Sequence, residues 1–139
     1  MNVLIDTNVL SELRRPDADE RVKRHLAAAP HDSLFVSVVS VGEIVYGFSR
    51  LAAGPKKRSL MTWLANLEEE FRDAIVPIDL ETCRIWGELT ASRQAAGHSI
   101  ETRDGLLAAT AVRHGMHLMT RNTKDFANTG VLLINPWEG

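Results

Sequence analysis

The chain alternates short apolar runs with longer stretches in which apolar residues recur every three or four positions. Val3-Leu4-Ile5 runs straight into the polar triplet Asp6-Thr7-Asn8, the pattern of a buried strand that ends abruptly. A helix carrying Val9, Leu10 and Leu13 follows and is stopped by Pro16; a second short helix carries Val22 and Leu26 and ends near Pro30. Residues 34–39, rich in β-branched and aromatic side chains, predict a second strand. Ser40-Val41-Gly42-Glu43 opens the next helix, with Ile44, Phe48 and Leu51 on one stripe, and Gly54-Pro55 breaks it. Leu60, Trp63, Leu64, Leu67 and Phe71 then mark a helix beginning at Lys56-Lys57-Arg58. A third strand is predicted over 74–78, and a helix through Ile85, Trp86 and Leu89 ends around Gly97. Asp104 starts another helix over 106–113 with Gly115 as its stop, and the last strands fall at 117–120 and 131–134. This alternation predicts an α/β fold, a mostly parallel central sheet flanked by helices, in one domain spanning 1–139.

Composition narrows the classes. A lone Cys83 excludes an intrachain disulfide framework and a cysteine-cluster zinc site, and its apolar helical surroundings predict a buried, inert thiol. The N-terminus has no basic region followed by a long apolar stretch, so no signal peptide is expected. No apolar run reaches the ~20 residues of a membrane span, and a cytoplasmic protein is expected. The formal net charge of −2 is not that of a protein gripping nucleic acid by phosphate contacts alone. A nucleic-acid role therefore needs local basic patches, a bound cation or a basic partner.

The acids are informative by position. Asp6 follows the first strand, Glu43 falls in the first turn after the second, and Asp104 starts the helix before the fourth. Asn122 and Asp125 follow that fourth strand. In an open parallel sheet, ligands bind beyond the carboxyl ends of the strands, so Asp6, Glu43 and the Asn122–Asp125 loop should crowd one edge, with Asp104 joining if its helix starts there. Crowded carboxylates repel unless a cation intervenes, and oxygen donors of this kind suit Mg²⁺ or Mn²⁺ better than zinc. Each acid also has a local reading. Asp6 and Asp104 can cap helices, Ser40 and Glu43 match a capping box, and Asp125 can cap a short turn. Both readings stand on the residues alone.

At these residues the chain resembles the PIN-domain ribonucleases, and within them the VapC-type toxins of bacterial toxin–antitoxin pairs, especially the FitB-like branch. The landmarks are Leu4-Ile5-Asp6-Thr7-Asn8-Val9-Leu10-Ser11-Glu12-Leu13, Ser37-Val38-Val39-Ser40-Val41-Gly42-Glu43 with Gly47, Asp104-Gly105-Leu106-Leu107-Ala108-Ala109-Thr110-Ala111, Thr120-Arg121-Asn122 with Asp125-Phe126, and Asn135-Pro136-Trp137. They occur in the family's order along essentially the whole chain. The resemblance implies an α/β/α fold, Mg²⁺- or Mn²⁺-dependent endoribonuclease activity on RNA, a homodimer, and an antitoxin encoded beside it. It implies that Asp6 and Asp104 are metal ligands and that Glu43 binds metal or positions the attacking water. Many relatives carry a fourth acid after Thr-Arg. Here that place is Asn122, which leaves Asp125 as the nearby substitute and implies one tight metal. A basic antitoxin residue entering the acidic pocket would replace the cation, and DNA would be met only through the antitoxin. The alternative is a weakly active subunit that mainly holds a DNA-binding antitoxin in an autorepressing complex. Another Mg²⁺-dependent phosphotransfer enzyme is disfavoured by the absence of a Gly-rich phosphate loop and of Asp-x-Asp after the first strand.

The remaining polar and aromatic residues add less. Thr7, Asn8 and Thr120 are candidates to bind water or phosphate, with turn chemistry as the alternative for Asn8. Arg14-Arg15 and Lys56-Lys57-Arg58 are the densest basic clusters, either solvated or guiding RNA. His25, His31, His98, His114 and His117 are scattered, which gives no support to paired imidazole catalysis. Trp63 and Trp86 lie on helical stripes suited to core or dimer packing, and Trp137 is placed to seal the sheet's edge.

Overall fold

Three apolar residues, Val3–Ile5, form β1, and they are buried on both sides because this strand lies at the centre of the sheet. The computed structural model describes residues 1–138. Its five strands are β1, β2 (Leu34–Ser37), β3 (Ile75–Val76), β4 (His117–Met119) and β5 (Leu133–Ile134), ordered β3-β2-β1-β4-β5. All neighbouring pairs are parallel, with Ile5 level with Val36 on one side and Met119 on the other. The helices are α1 (Thr7–Arg14), α2 (Glu20–Ala28), α3 (Val38–Ser49), α4 (Pro55–Glu70), α5 (Leu80–Ala95) and α6 (Thr102–His114). The expected α/β architecture is therefore observed.

Successive strand side chains point to opposite faces, and the two faces bury separate cores. Val3 and Ile5 join Val9, Leu10, Ile44, Leu64, Leu67 and Phe71 beneath α1, α3 and α4. Leu4 joins Leu107, Ala108, Ala111, Leu118 and Phe126 on the α6 side. Leu4, Leu107 and Leu118 are wholly buried, and side chains of this size contribute roughly 1.5–3 kcal/mol each. Trp137 closes one end of the first core beneath the Arg121 guanidinium, 4.9 Å from its ring centre.

Local chemistry sets the ends of several helices. Pro55 at the first turn of α4 starts a helix without losing a hydrogen bond that would have formed. Gly115 ends α6 in the left-handed conformation, at φ 66°, which a side chain would disfavour. Asp19 and Asp79 cap α2 and α5 by accepting from the backbone N–H of Arg21 and Thr82.

Several boundaries differ from expectation. β2 stops at Ser37, where its partner β3 runs out, and α3 begins at Val38. Ser37, not Ser40, caps α3, its hydroxyl accepting from Val39 N–H at 3.0 Å. Consequently Glu43 lies in the second turn, and no Ser40–Glu43 capping box forms. Helix α6 starts at Thr102, so Asp104 is its third residue and not its cap. Cys83 is exposed, contrary to expectation. Its neighbour Thr82 is the wholly buried residue of α5, and one step along a helix turns Cys83 about 100° away from the packed face.

Candidate active site

The chain runs from β1 outward to β2 and β3, then returns to place β4 on the other side of β1. Strand order thus reverses between β1 and β4, and their carboxyl ends open the crevice where α/β sheets bind ligands. Asp6 stands there. Its backbone N–H donates to the Met119 carbonyl at 2.9 Å, fixing it beside the end of β4. One carboxylate oxygen, Oδ1, accepts from Thr7 N–H at 2.7 Å, and the other, Oδ2, from Thr120 Oγ1 at 2.8 Å. Asp6 is therefore a helix cap and a member of the crevice at once.

Neighbouring polar side chains hold the two strand ends together. Asn8 Nδ2 donates to Thr120 Oγ1 at 3.3 Å while its Oδ1 accepts from Arg121 N–H at 3.3 Å. Thr120 Oγ1 also accepts from Asn122 N–H at 3.1 Å. Across the crevice, Thr7 Oγ1 lies 2.8 Å from Glu43 Oε1 and 2.9 Å from Ser40 Oγ. Thr7 has one hydroxyl proton, so donating it to the carboxylate leaves Ser40 as the donor to Thr7.

Asp104 enters from α6. Its side chain is only 9% exposed, and α6 can lie close to α5 because Gly105 has no side chain. A Cβ there would stand 2.9 Å from the Trp86 ring. Trp86 Nε1 and Thr90 Oγ1 on that face of α5 are buried without hydrogen-bond partners. Trp86 is half-buried, with one edge of its ring packed against α6.

Electrostatics separates these acids from ordinary surface carboxylates. Burial raises the Asp6 pKa above its usual value, against hydrogen bonds from Thr120 and Thr7, and the Glu43 charge raises it further. Burial likewise raises that of Asp104; the neighbouring Arg103 charge opposes this, while Asp6, Asp125 and Glu101 add to it. Negative charge is costly here because the carboxylates are buried close to one another.

Sequence reasoning missed the cation that is present. Arg103 Nη1 donates to Glu43 Oε2 at 2.7 Å, and its Nε lies 3.5 Å from Asp104 Oδ1. Burial alone would lower the pKa of Arg103, but the charges of Glu43 and Asp104 reverse this. One signal was available: a cation at the second position of α6 opposes the helix dipole and needs a tertiary reason to be there.

The predicted residues divide around this arginine. Asp6, Glu43 and Asn122 line a depression with Thr7, Asn8 and Arg103, whereas Asp104 and Asp125 line an adjoining one with Glu101, Lys124 and the same Arg103. Asp125 lies within a short 3-10 turn and gives that turn no side-chain cap. Among the described residues, no three His, Cys, Asp or Glu side chains are close enough to enclose a metal ion as they stand. The donors nevertheless fit a hard divalent ion: they are all oxygen, and Asp6 and Asp104 are buried near enough for charge to be felt between them. Of the two basic clusters, Arg15 is paired with Glu12 and Asp17 and Arg14 lies over Trp63, while Lys56-Lys57-Arg58 forms the first turn of α4.

Comparison with known proteins agrees with this fold. The PIN domain family matches residues 3–132. The chain is 36% identical over 140 aligned positions to VapC ribonuclease Y4jK of Sinorhizobium fredii, covering 98% of each chain. It is 33% identical to Toxin FitB of Neisseria gonorrhoeae, covering 97% of this chain and 98% of that one. A solved structure of FitAB bound to an IR36 DNA fragment superposes with a TM-score of 0.91 at 33% identity, covering 99% of this chain and 96% of that one. The chain belongs to the PIN-domain family, among the VapC- and FitB-type toxin ribonucleases of type II toxin–antitoxin systems.

Proposed function

We propose that this chain is a Mg²⁺- or Mn²⁺-dependent endoribonuclease that hydrolyses RNA phosphodiester bonds and is restrained by a cognate antitoxin. The observation that carries this reading is the placement of two buried carboxylates with raised pKa, Asp6 and Asp104, beside the point where strand order reverses. Asp6 and Asp104 are the ligands of the ion, and Glu43 completes the set or orients water. When bound, such an ion supplies positive charge to the attacked phosphate and acidifies water.

The residues around them keep the carboxylates in position. Thr7 and Thr120 hold Asp6 by one oxygen each, so its plane is fixed before any ligand arrives. Thr7 also fixes Glu43, linking the acid of β1 to the acid of α3. Asn122 borders the crevice as a neutral donor where many relatives carry an acid, which favours one strongly held ion. Asp125, across Arg103 in the adjoining depression, adds negative charge near Asp104 without facing Asp6 in the same pocket.

Partners follow the same logic. An apolar groove of about 480 Å³ runs between α1, α2 and α4, lined by Leu10, Leu13, Leu26, Trp63 and Phe71. It is a suitable seat for an antitoxin segment that continues toward the acids. Tyr46 and Val45 expose apolar surface on α3 and suit a homodimer contact. DNA is contacted through the antitoxin. Among the described residues, no helix is long and apolar enough to cross a membrane.

The test is cleavage of structured RNA by antitoxin-free protein with Mg²⁺, Mn²⁺ or EDTA, beside Asp104→Asn. Discrete cuts that disappear with EDTA and with the variant are expected. A folded, metal-loaded protein that cuts none of several RNAs would instead favour a subunit that serves to hold its antitoxin.

A further inference from the structure

Arg103 is the side chain of the crevice whose position the ribonuclease reading leaves unexplained. Its two contacts use different nitrogens and reach acids on different helices, Glu43 on α3 and Asp104 on α6. Helix energetics does not place it there. It stands near the positive end of α6, and the preceding Glu101 forms no side-chain cap to offset it. Each Glu43 oxygen accepts one bond, Oε1 from Thr7 and Oε2 from Arg103. A divalent ion approaching Glu43 therefore meets a neutral hydroxyl at Oε1 and a competing positive charge at Oε2.

The bond to Arg103 is the easier one to give up. Thr7 is anchored at the start of α1, whereas Arg103 is a long side chain, 46% exposed. An ion pair of that exposure is worth little in water, and a divalent charge outcompetes it. Arg103 also borders both depressions, the one holding Asp6, Glu43 and Asn122 and the one holding Asp104, Asp125 and Lys124. A guanidinium leaving Glu43 thus remains over the centre. Its planar fork matches two oxygens of a phosphodiester.

We propose that Arg103 is a displaceable counterion: it occupies Glu43 in the metal-free chain, yields Glu43 to the divalent ion, and then binds the RNA phosphate. This rests on the metal-dependent ribonuclease reading above. It makes metal and RNA binding mutually reinforcing, because the ion releases the group that the phosphate then engages.

The experiment is a calorimetric titration of antitoxin-free protein with Mn²⁺, comparing wild type, Arg103→Gln, Arg103→Lys and Lys124→Gln. Lys124 lines the Asp104 depression without pairing to Glu43, Asp104 or Asp6 among the described contacts, so it controls for charge alone. Removing Arg103 is expected to tighten Mn²⁺ binding about fivefold, the scale of an exposed ion pair. Lys124→Gln should change it by less than about twofold, and Arg103→Lys, which keeps the charge without the fork, should fall between. Melting curves near that of wild type establish that the variants are folded. At saturating Mn²⁺, Arg103→Gln should raise KM for RNA, with partial recovery in Arg103→Lys. Equal or weaker Mn²⁺ binding by Arg103→Gln would overturn the counterion role while leaving the metal site standing. Tighter Mn²⁺ binding with unchanged KM would overturn the phosphate role. Absence of Mn²⁺ binding by every variant and by wild type would overturn the metal reading itself.

Discussion

Asp6 and Asp104 at the crevice and Asp19 and Asp79 at the starts of α2 and α5 are the same residue in opposite circumstances. Asp79 accepts from Thr82 Oγ1 at 2.7 Å and from Thr82 N–H at 2.8 Å, and these bonds lower its pKa. Asp19 is lowered to about 2, chiefly by its side-chain bond to Arg21. Both are partly exposed, and burial opposes the charged form less than these bonds favour it. At the crevice, Asp6 receives comparable hydrogen bonds, yet burial outweighs them and its pKa rises. Hydrogen bonding alone therefore does not decide which way an acid's pKa moves. The difference is that the crevice acids are kept where their charge is unwelcome, and the caps are placed where it is stabilising.

Substitutions can break this contrast, beginning with the packing that maintains it. Gly105→Ala drives a methyl group against the Trp86 ring, which must shift or push α5 away from α6. A loss of about 1–3 kcal/mol is expected in denaturant unfolding. The same variant should bring the Asp104 pKa back toward the ordinary range by opening its surroundings to water. Unchanged stability would show that α5 does not constrain Asp104.

A smaller effect has the opposite sign. Folding raises the Asp104 pKa above its ordinary 3.8, so the folded metal-free chain binds more protons than the unfolded one between those values. Its contribution to stability therefore falls as pH rises from about 3.8 through the raised pKa. Asp104→Asn should raise the Tm of metal-free protein at neutral pH, with the gain shrinking toward pH 4. A lower Tm at neutral pH would mean that the Arg103 contact outweighs burial.

The caps should give the smallest change and leave activity intact. Asp79→Ala removes two hydrogen bonds from the start of α5 and should lower the Tm by a few degrees, with RNA cleavage retained. The Asp79 contribution is present above 3.8 and is lost as pH falls through its lowered pKa. That window lies on the acid side of the Asp104 window.

The sequence made the architecture readable because β1 is wholly apolar, β4 is apolar after His117, and both are short and followed at once by polar residues. Gly115 and Pro55 likewise announced helix boundaries by chemistry that does not depend on the rest of the fold. The junction of β2 and α3 was harder. Val38 and Val39 favour a strand, but β3 supplies no partner beyond Val76, and Ser37 caps the helix they enter. At the site, Asp6, Glu43 and Asp104 could be named, while Arg103 offered only its unfavourable place near the start of α6, because its significance is a contact between α3 and α6 across 60 residues of chain. Cys83 was misplaced for a related reason: an apolar neighbourhood along the helix does not say which side of α5 meets α6.

The most direct measurement is a carboxyl ¹³C NMR titration of metal-free protein, following Asp6, Asp104, Asp19 and Asp79 together and then repeating the series with Mg²⁺. The account predicts Asp6 and Asp104 above 3.8, Asp19 and Asp79 below it, and a downward shift of Asp6 and Asp104 alone when Mg²⁺ is present. Asp6 and Asp104 titrating with the caps, and unmoved by Mg²⁺, would contradict the claim that this crevice is built to hold a cation.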